Sequence, residues 1–215
     1  MSAQPKFDLR WMSIEDYLAM ELDSDIKHEY DDGEIVAMSG VSKNHERIKL
    51  SLARLLGNHL QGAPCEPFAS DVKLKIGNYL FYPDVMVVCN DTSTHDYYAE
   101  TPVLVVEVLS KSTRRRDETL KRRLYQSIPS LQEYVLIEQD IVDVEVCRRS
   151  EGWMSSHYFL GDEVVFESVD LTVSVAEIYA RVDNEDMQIF TQTLAQPGHG
   201  HLNDDESVAG AELRQ

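Results

Sequence analysis

Pro102-Val103-Leu104-Val105-Val106-Glu107-Val108-Leu109 is the most apolar stretch of the chain, and a single carboxylate interrupts it. A β-rich run without alternation is what a strand covered on both faces needs, because neither side has to meet water. Val85-Met86-Val87-Val88-Cys89 reads the same way, so both runs are expected as core strands at a sheet centre. Residues 134–137 and 142–146 continue that sheet. An acid in such a run is costly unless it is paired, hydrogen-bonded or bound to a metal. Glu107 therefore demands a partner, and a salt bridge to a local arginine or a place at a strand end would also satisfy it.

Outward from this core the pattern changes period. Towards the N-terminus, Ser13 followed by Glu15 and Asp16 resembles an N-cap with an acidic first turn, which opens a short helix. His28-Glu29-Tyr30 and Glu34-Ile35-Val36 flank Asp31-Asp32-Gly33, a hairpin signal. Ile48, Leu52, Leu55, Leu56 and Leu60 recur at helical spacing, predicting a second helix over 44–60. Val72, Leu74 and Ile76 alternate with lysines before Gly77-Asn78, predicting a half-exposed hairpin. After the core run, residues 113–126 read as a helix with Leu120 and Leu124 buried and the arginines and lysines outside. Short strands at 154–159, 164–166 and 171–173 and a closing helix at 175–179 complete a domain over residues 1–182. From Asp183 to Gln215 the pattern fades into an acidic tail, expected to be disordered.

The 215 residues are 43% hydrophobic and 27% charged, ordinary values for a globular chain. Met1 to Trp11 lacks the apolar stretch of a signal peptide or membrane span, so no membrane and a cytoplasmic location are expected. Cys65, Cys89 and Cys147 are odd in number, far apart and in no CxxC pair, and they read as buried or incidental thiols. The net charge of −18 is hostile to phosphates, but its distribution matters. The tail holds −6, whereas the segment 111–123 is locally +5. That segment is either a solvated helix face balancing nearby acids or a cationic surface. Its bases Lys111, Arg114, Arg115, Arg116 and Arg122 are candidates to touch a nucleic-acid backbone.

Asp84 follows Pro83 at the start of a core strand. Adjacent strands can bring Asp84 and Glu107 to one edge, where hard oxygen ligands suit Mg²⁺ or Mn²⁺. A metal there would activate a water and neutralise charge on a phosphate. The basic helix begins a few residues after Glu107, so Lys121 or Arg122 can face the same place. His45 stands near the start of the second helix, and His199 and His201 lie in the tail, where a flexible segment makes a poor metal site.

Pro83-Asp84, Val106-Glu107-Val108-Leu109-Ser110, Arg116-Asp117, Lys121, Tyr125 and Glu133-Tyr134-Val135-Leu136-Ile137 together resemble the Uma family of restriction endonucleases, a branch of the PD-(D/E)xK nuclease superfamily. Tyr30-Asp31-Asp32-Gly33-Glu34, Met38-Ser39 and His45 extend the resemblance over most of residues 10–180. It implies an α/β fold with a four-stranded central mixed β-sheet flanked by helices, Mg²⁺ (or Mn²⁺) on Asp84 and Glu107, and hydrolysis of DNA. The superfamily's usual lysine two residues after the acid is Leu109 here. The family pattern puts a lysine in the following helix, which matches Lys121, with Lys111 as the nearer competitor in sequence. Glu29 matches an acid of the N-terminal element that adds or steers a ligand, or else is a solvent-facing hairpin charge. A homodimer is a family-level expectation.

The reading is a metal-dependent endodeoxyribonuclease with Asp84, Glu107, Lys121 and Glu29 in its site. The rival is a catalytically inactive module that keeps the nuclease fold to bind nucleic acid or a protein partner, a fate open to widely used folds.

Overall fold

The computed structural model describes residues 11–91 and 95–195. The polar N-terminal stretch before Trp11, His199, His201 and the remainder of the tail lie outside the described residues.

A six-stranded mixed sheet forms the centre. It consists of β3 (Cys65–Ala69), β6 (Val85–Cys89), β8 (Pro102–Leu109), β9 (Glu133–Glu138), β10 (Val144–Arg148) and β11 (Ser155–Tyr158), in the order β11-β10-β9-β8-β6-β3. Only β8 and β9 run parallel; the other neighbours are antiparallel. β6 and β8 are buried almost throughout, as their unbroken apolar runs require. The resemblance implied four strands; β3 and β11 extend the sheet at its edges.

A second sheet joins β1 (His28–Asp31), β2 (Glu34–Ala37), β4 (Lys73–Ile76), β5 (Tyr79–Phe81) and β7 (Tyr98–Ala99) in the order β2-β1-β5-β4-β7. Both hairpins expected from the sequence lie in it, with α1 (Ile14–Leu22) packed through Tyr17 against Tyr30 and Leu80. Ser13 caps α1 by accepting the N–H of Asp16.

Alternate residues of the central strands feed two cores. Leu104, Val106 and Val108 pack with Ile48, Leu52 and Leu56 of α2 (Lys43–His59), and with Phe166 of β12 (Glu163–Phe166), Val173 of β13 (Leu171–Ser174) and Ile178 of α5 (Val175–Ile178). Val105 and Leu109 point the other way, against Phe81, Tyr125, Leu131 and Tyr134. Glu107 lies between Val106 and Val108 in the strand and therefore faces this second core.

Three expectations are corrected. The segment expected as one ordinary helix comprises α3 (Arg114–Arg116), a π-helical stretch (Asp117–Lys121) and α4 (Arg122–Gln126), and its buried face is Asp117, Lys121 and Tyr125, with Leu120 and Leu124 only half-buried. The face turns inward because acids on the neighbouring strands compensate its charge. Cys65 and Cys89 form a disulfide, because β3 runs antiparallel to β6 with Cys65 directly opposite Cys89, their Cα atoms 3.9 Å apart. Cys147 is the buried free thiol. Finally, α6 (Glu185–Ala195) occupies the start of the segment expected to be disordered. It docks where Asp186 accepts the N–H of Val142, and Asn184 Oδ1 caps its first turn by accepting the N–H of Met187. No helix among the described residues is long and apolar enough to cross a membrane.

Candidate active site

β6 and β8 pair with Val85 opposite Val106, and one residue further on this register sets Asp84 across from Glu107. Asp84 Oδ2 accepts the backbone N–H of Val108 at 2.8 Å. The two carboxylates therefore share one end of the central strand pair, and both line a pocket of about 160 Å³.

The helical segment delivers the cation. Asp117, Lys121 and Tyr125 recur every fourth residue, which keeps them on one face of a helix. Lys121 Nζ lies 3.1 Å from Glu107 Oε1, 2.9 Å from Glu29 Oε1 and 3.2 Å from Asp117 Oδ1. Tyr125 donates its hydroxyl to the same Glu107 Oε1 at 2.8 Å. Glu107 and Lys121 are 3% and 4% exposed, so this network is shielded from water and its interactions are strong. Burial pushes the Glu107 carboxyl well above the usual carboxylate range, with Asp117, Asp84 and Glu29 adding to the shift and Lys121 opposing it. Burial alone would lower the Lys121 ammonium, but Glu107, Glu29 and Asp117 outweigh it and hold the charge more firmly than in water.

The N-terminal hairpin closes the pocket. Glu29 on β1 accepts the backbone N–H of Tyr82 at 3.4 Å as well as meeting Lys121. Arg116 lies 2.9 Å from Asp31 and 3.5 Å from the second oxygen of Glu29. On the opposite side, Ser42 caps α2 by accepting the N–H of His45, and its hydroxyl also donates to Gln139. Gln139 in turn donates to the carbonyl of Leu109 at 2.7 Å. This chain of contacts ties the N-terminus of α2 to the end of β8 and sets His45 Nε2 3.1 Å from Asp84 Oδ2.

Of the residues singled out in the sequence, Asp84, Glu107, Lys121 and Glu29 converge on one pocket. Lys111 does not reach it; it is exposed and in no ion pair with a described residue, which leaves Lys121 as the cation on Glu107. The basic segment divides. Arg114 pairs with Glu138, Arg116 with Glu29 and Asp31, and Arg122 with Glu145 at 2.7 Å, whereas Arg115 is exposed with no carboxylate within salt-bridge distance among the described residues. Arg116 was expected on a nucleic-acid backbone, and Asp117 and Tyr125 were named only within the resemblance; their contacts inside the pocket were missed, although the four-residue spacing from Asp117 through Tyr125 was visible.

The carboxylates that could hold a metal are Asp84 and Glu107, which share the pocket. Glu29, Asp84, Glu107 and Asp117 line the pocket against only Arg116 and Lys121, a surplus of negative charge that one divalent cation would cancel. No group of three or more His, Cys, Asp or Glu side chains arranged to hold a metal occurs among the described residues. Two carboxylates with water completing the shell is how Mg²⁺ is ordinarily held.

Asp84, Glu107 and Lys121 thus stand at one end of a mixed α/β fold, a central mixed sheet flanked by helices. The crystal structure of a "putative nuclease belonging to DUF820" from Anabaena variabilis shares it, with a TM-score of 0.66 over 79% of this chain and 98% of that one, at 15% sequence identity. The model of the Uma2 family, "Putative restriction endonuclease", matches residues 14–176, and the chain belongs to this family. Two uncharacterized proteins of Synechocystis sp., slr1290 and sll1609, are 39% and 33% identical to it, each over 78% of this chain and over 91% and 95% of their own lengths.

Proposed function

We propose that this protein is a metal-dependent endonuclease that hydrolyses DNA phosphodiester bonds, with Asp84 and Glu107 holding Mg²⁺ or Mn²⁺. The observation that carries this reading is the juxtaposition of Asp84 and Glu107 across β6 and β8, with Lys121 on Glu107 inside the same pocket. When bound, the metal supplies charge neutralisation at the phosphate and acidifies a water molecule. The remaining work falls to the chain. Lys121 brings a permanent positive charge beside Glu107, suited to the charge that grows on phosphate oxygens in the transition state. Glu29 and Asp117 hold that ammonium from two other sides, and Tyr125 fixes the Glu107 oxygen that Lys121 touches. Lys111, Arg115 and Arg123, exposed on the segment that follows β8, are the cations available to a nucleic-acid backbone.

Calorimetric titration of Mn²⁺ into the protein and its Asp84→Asn variant, alongside plasmid nicking by both, tests the reading. Binding and nicking that disappear together in the variant support it. A wild type that neither binds metal nor nicks overturns it. One observation favours a second reading, a nuclease-fold module without catalysis: Lys121 is already saturated by three carboxylates, and Arg114, Arg116 and Arg122 are neutralised within the molecule. Under that reading the wild type binds DNA in the same buffers but leaves it intact.

A further inference from the structure

We propose that His45 is a working part of the same site: its Nε2 orients Asp84, and its Nδ1 accepts a hydrogen bond from the water that attacks the phosphodiester. The proposal rests on the nuclease reading and adds a residue to it.

His45 is 4% exposed, lines the pocket and places Nε2 3.1 Å from Asp84 Oδ2. A carboxylate only accepts, so the proton of this contact belongs to Nε2. Asp84 Oδ2 then receives two donors, Nε2–H from α2 and the N–H of Val108 from β8, which together fix the plane of the carboxylate. Nδ1 is left as an acceptor, and it is buried with no hydrogen-bond partner among the described residues. Buried ring nitrogens are seldom left unsatisfied, because losing water without gaining a partner is costly. A satisfied core histidine would have found a backbone or side-chain donor. Nδ1 is shielded from bulk water, but its ring lines the pocket that Asp84 and Glu107 share, so its missing partner is assigned to a hydrogen-bond donor held at that wall. In a hydrolytic site that donor is water. Ser42 and Gln139 anchor the first turn of α2 to β8, which makes the placement of the ring a property of the fold.

The test uses the full chain and two variants. His45→Gln keeps an amide N–H able to reach Asp84 but has nothing at the Nδ1 position; His45→Asn is too short to reach Asp84. Long-range ¹H–¹⁵N NMR of the wild type should show the proton on Nε2. His45→Gln should hold its Mn²⁺ affinity and its KM in plasmid nicking while kcat falls about tenfold or more. His45→Asn should lose Mn²⁺ affinity as well, by about tenfold, the usual effect of removing a group that orients a ligand. A proton on Nδ1 overturns the proposal, a result that stands even if a variant fails to fold. So does a wild type that nicks while His45→Gln nicks equally well. A wild type that does not nick at all overturns the nuclease reading and this proposal with it.

Discussion

The N–H of Val108 donates to Asp84 Oδ2 at 2.8 Å, so the residue next to Glu107 holds the carboxylate that stands opposite Glu107. The contact is a hydrogen bond first and a charge second, and the two properties are separable. Asp84→Asn keeps an oxygen for Val108 and should retain near wild-type stability in urea denaturation. Asp84→Ala leaves the N–H of Val108 without its partner and should cost about 1–3 kcal/mol. Equal stability of the two variants would remove this contact from the account.

Lys121 neutralises three buried acids at once. Replacing it with methionine leaves Glu107 and Asp117 without a cation and Glu29 with Arg116 alone, so Lys121→Met should destabilise the protein at neutral pH by about 3–5 kcal/mol. A Glu107→Gln change in the same background should recover part of the loss, since it removes one of the stranded charges. Chemical denaturation of both variants measures this.

Glu145 faces burial, which would raise its carboxyl, but Ser155 and Arg122 donate to it and lower it below the ordinary glutamate value. An acid with a lowered folded pKa stabilises above its unfolded value and loses that contribution as pH falls through the folded one. Stability should therefore decline from about pH 4.5 downward, and Glu145→Gln should flatten that acid limb. Identical acid profiles for the two proteins would show that Glu145 contributes nothing.

The three cysteines divide into one disulfide and one free thiol. Burial pushes the Cys147 thiol up, which suppresses the reactive thiolate. Native protein should not react with a thiol reagent, unfolded protein should show one thiol, and unfolded, reduced protein three. Three thiols without reductant would mean that the Cys65–Cys89 bond is absent in solution.

If the protein binds DNA, Lys111 and Arg115, both exposed on the segment after β8, should be felt through salt. Lys111→Glu/Arg115→Glu should weaken binding and reduce the log–log salt slope by roughly two, as expected for two lost phosphate contacts. Arg114→Ala should instead lower stability, because its guanidinium is spent on Glu138. Fluorescence anisotropy across a salt series separates the two effects.

Much of this arrangement was legible in the sequence. Unbroken apolar runs marked β6 and β8 as the sheet centre, and an acid inside one of them marked Glu107, because burial of a carboxylate needs a reason visible without coordinates. Edge strand β3 was not legible: Cys-Glu-Pro-Phe-Ala has no alternation and contains Pro67, a residue confined to edges and bulges. Without β3 the partnership of Cys65 with Cys89 could not be read either, since it is a matter of strand register. Lys121 was named, but the helix was turned the wrong way. Apolar spacing favoured Leu120 and Leu124 as the buried face, and only the acids on β1 and β8 make a charged face the inward one. His45 was noticed without its partner, because its contact with Asp84 depends on how Ser42 and Gln139 anchor α2.

The π-helical stretch Asp117–Lys121 makes chain length itself a constraint. A π-turn holds one residue more than an α-turn, and removing that residue would turn everything downstream by about 100° relative to Asp117. Lys121 and Tyr125 would then leave Glu107 even though every side chain was retained. Among relatives, deletions and insertions should accumulate in the exposed loops and be rejected between Asp117 and Tyr125, so that the spacing of this segment is inherited as strictly as any of its residues.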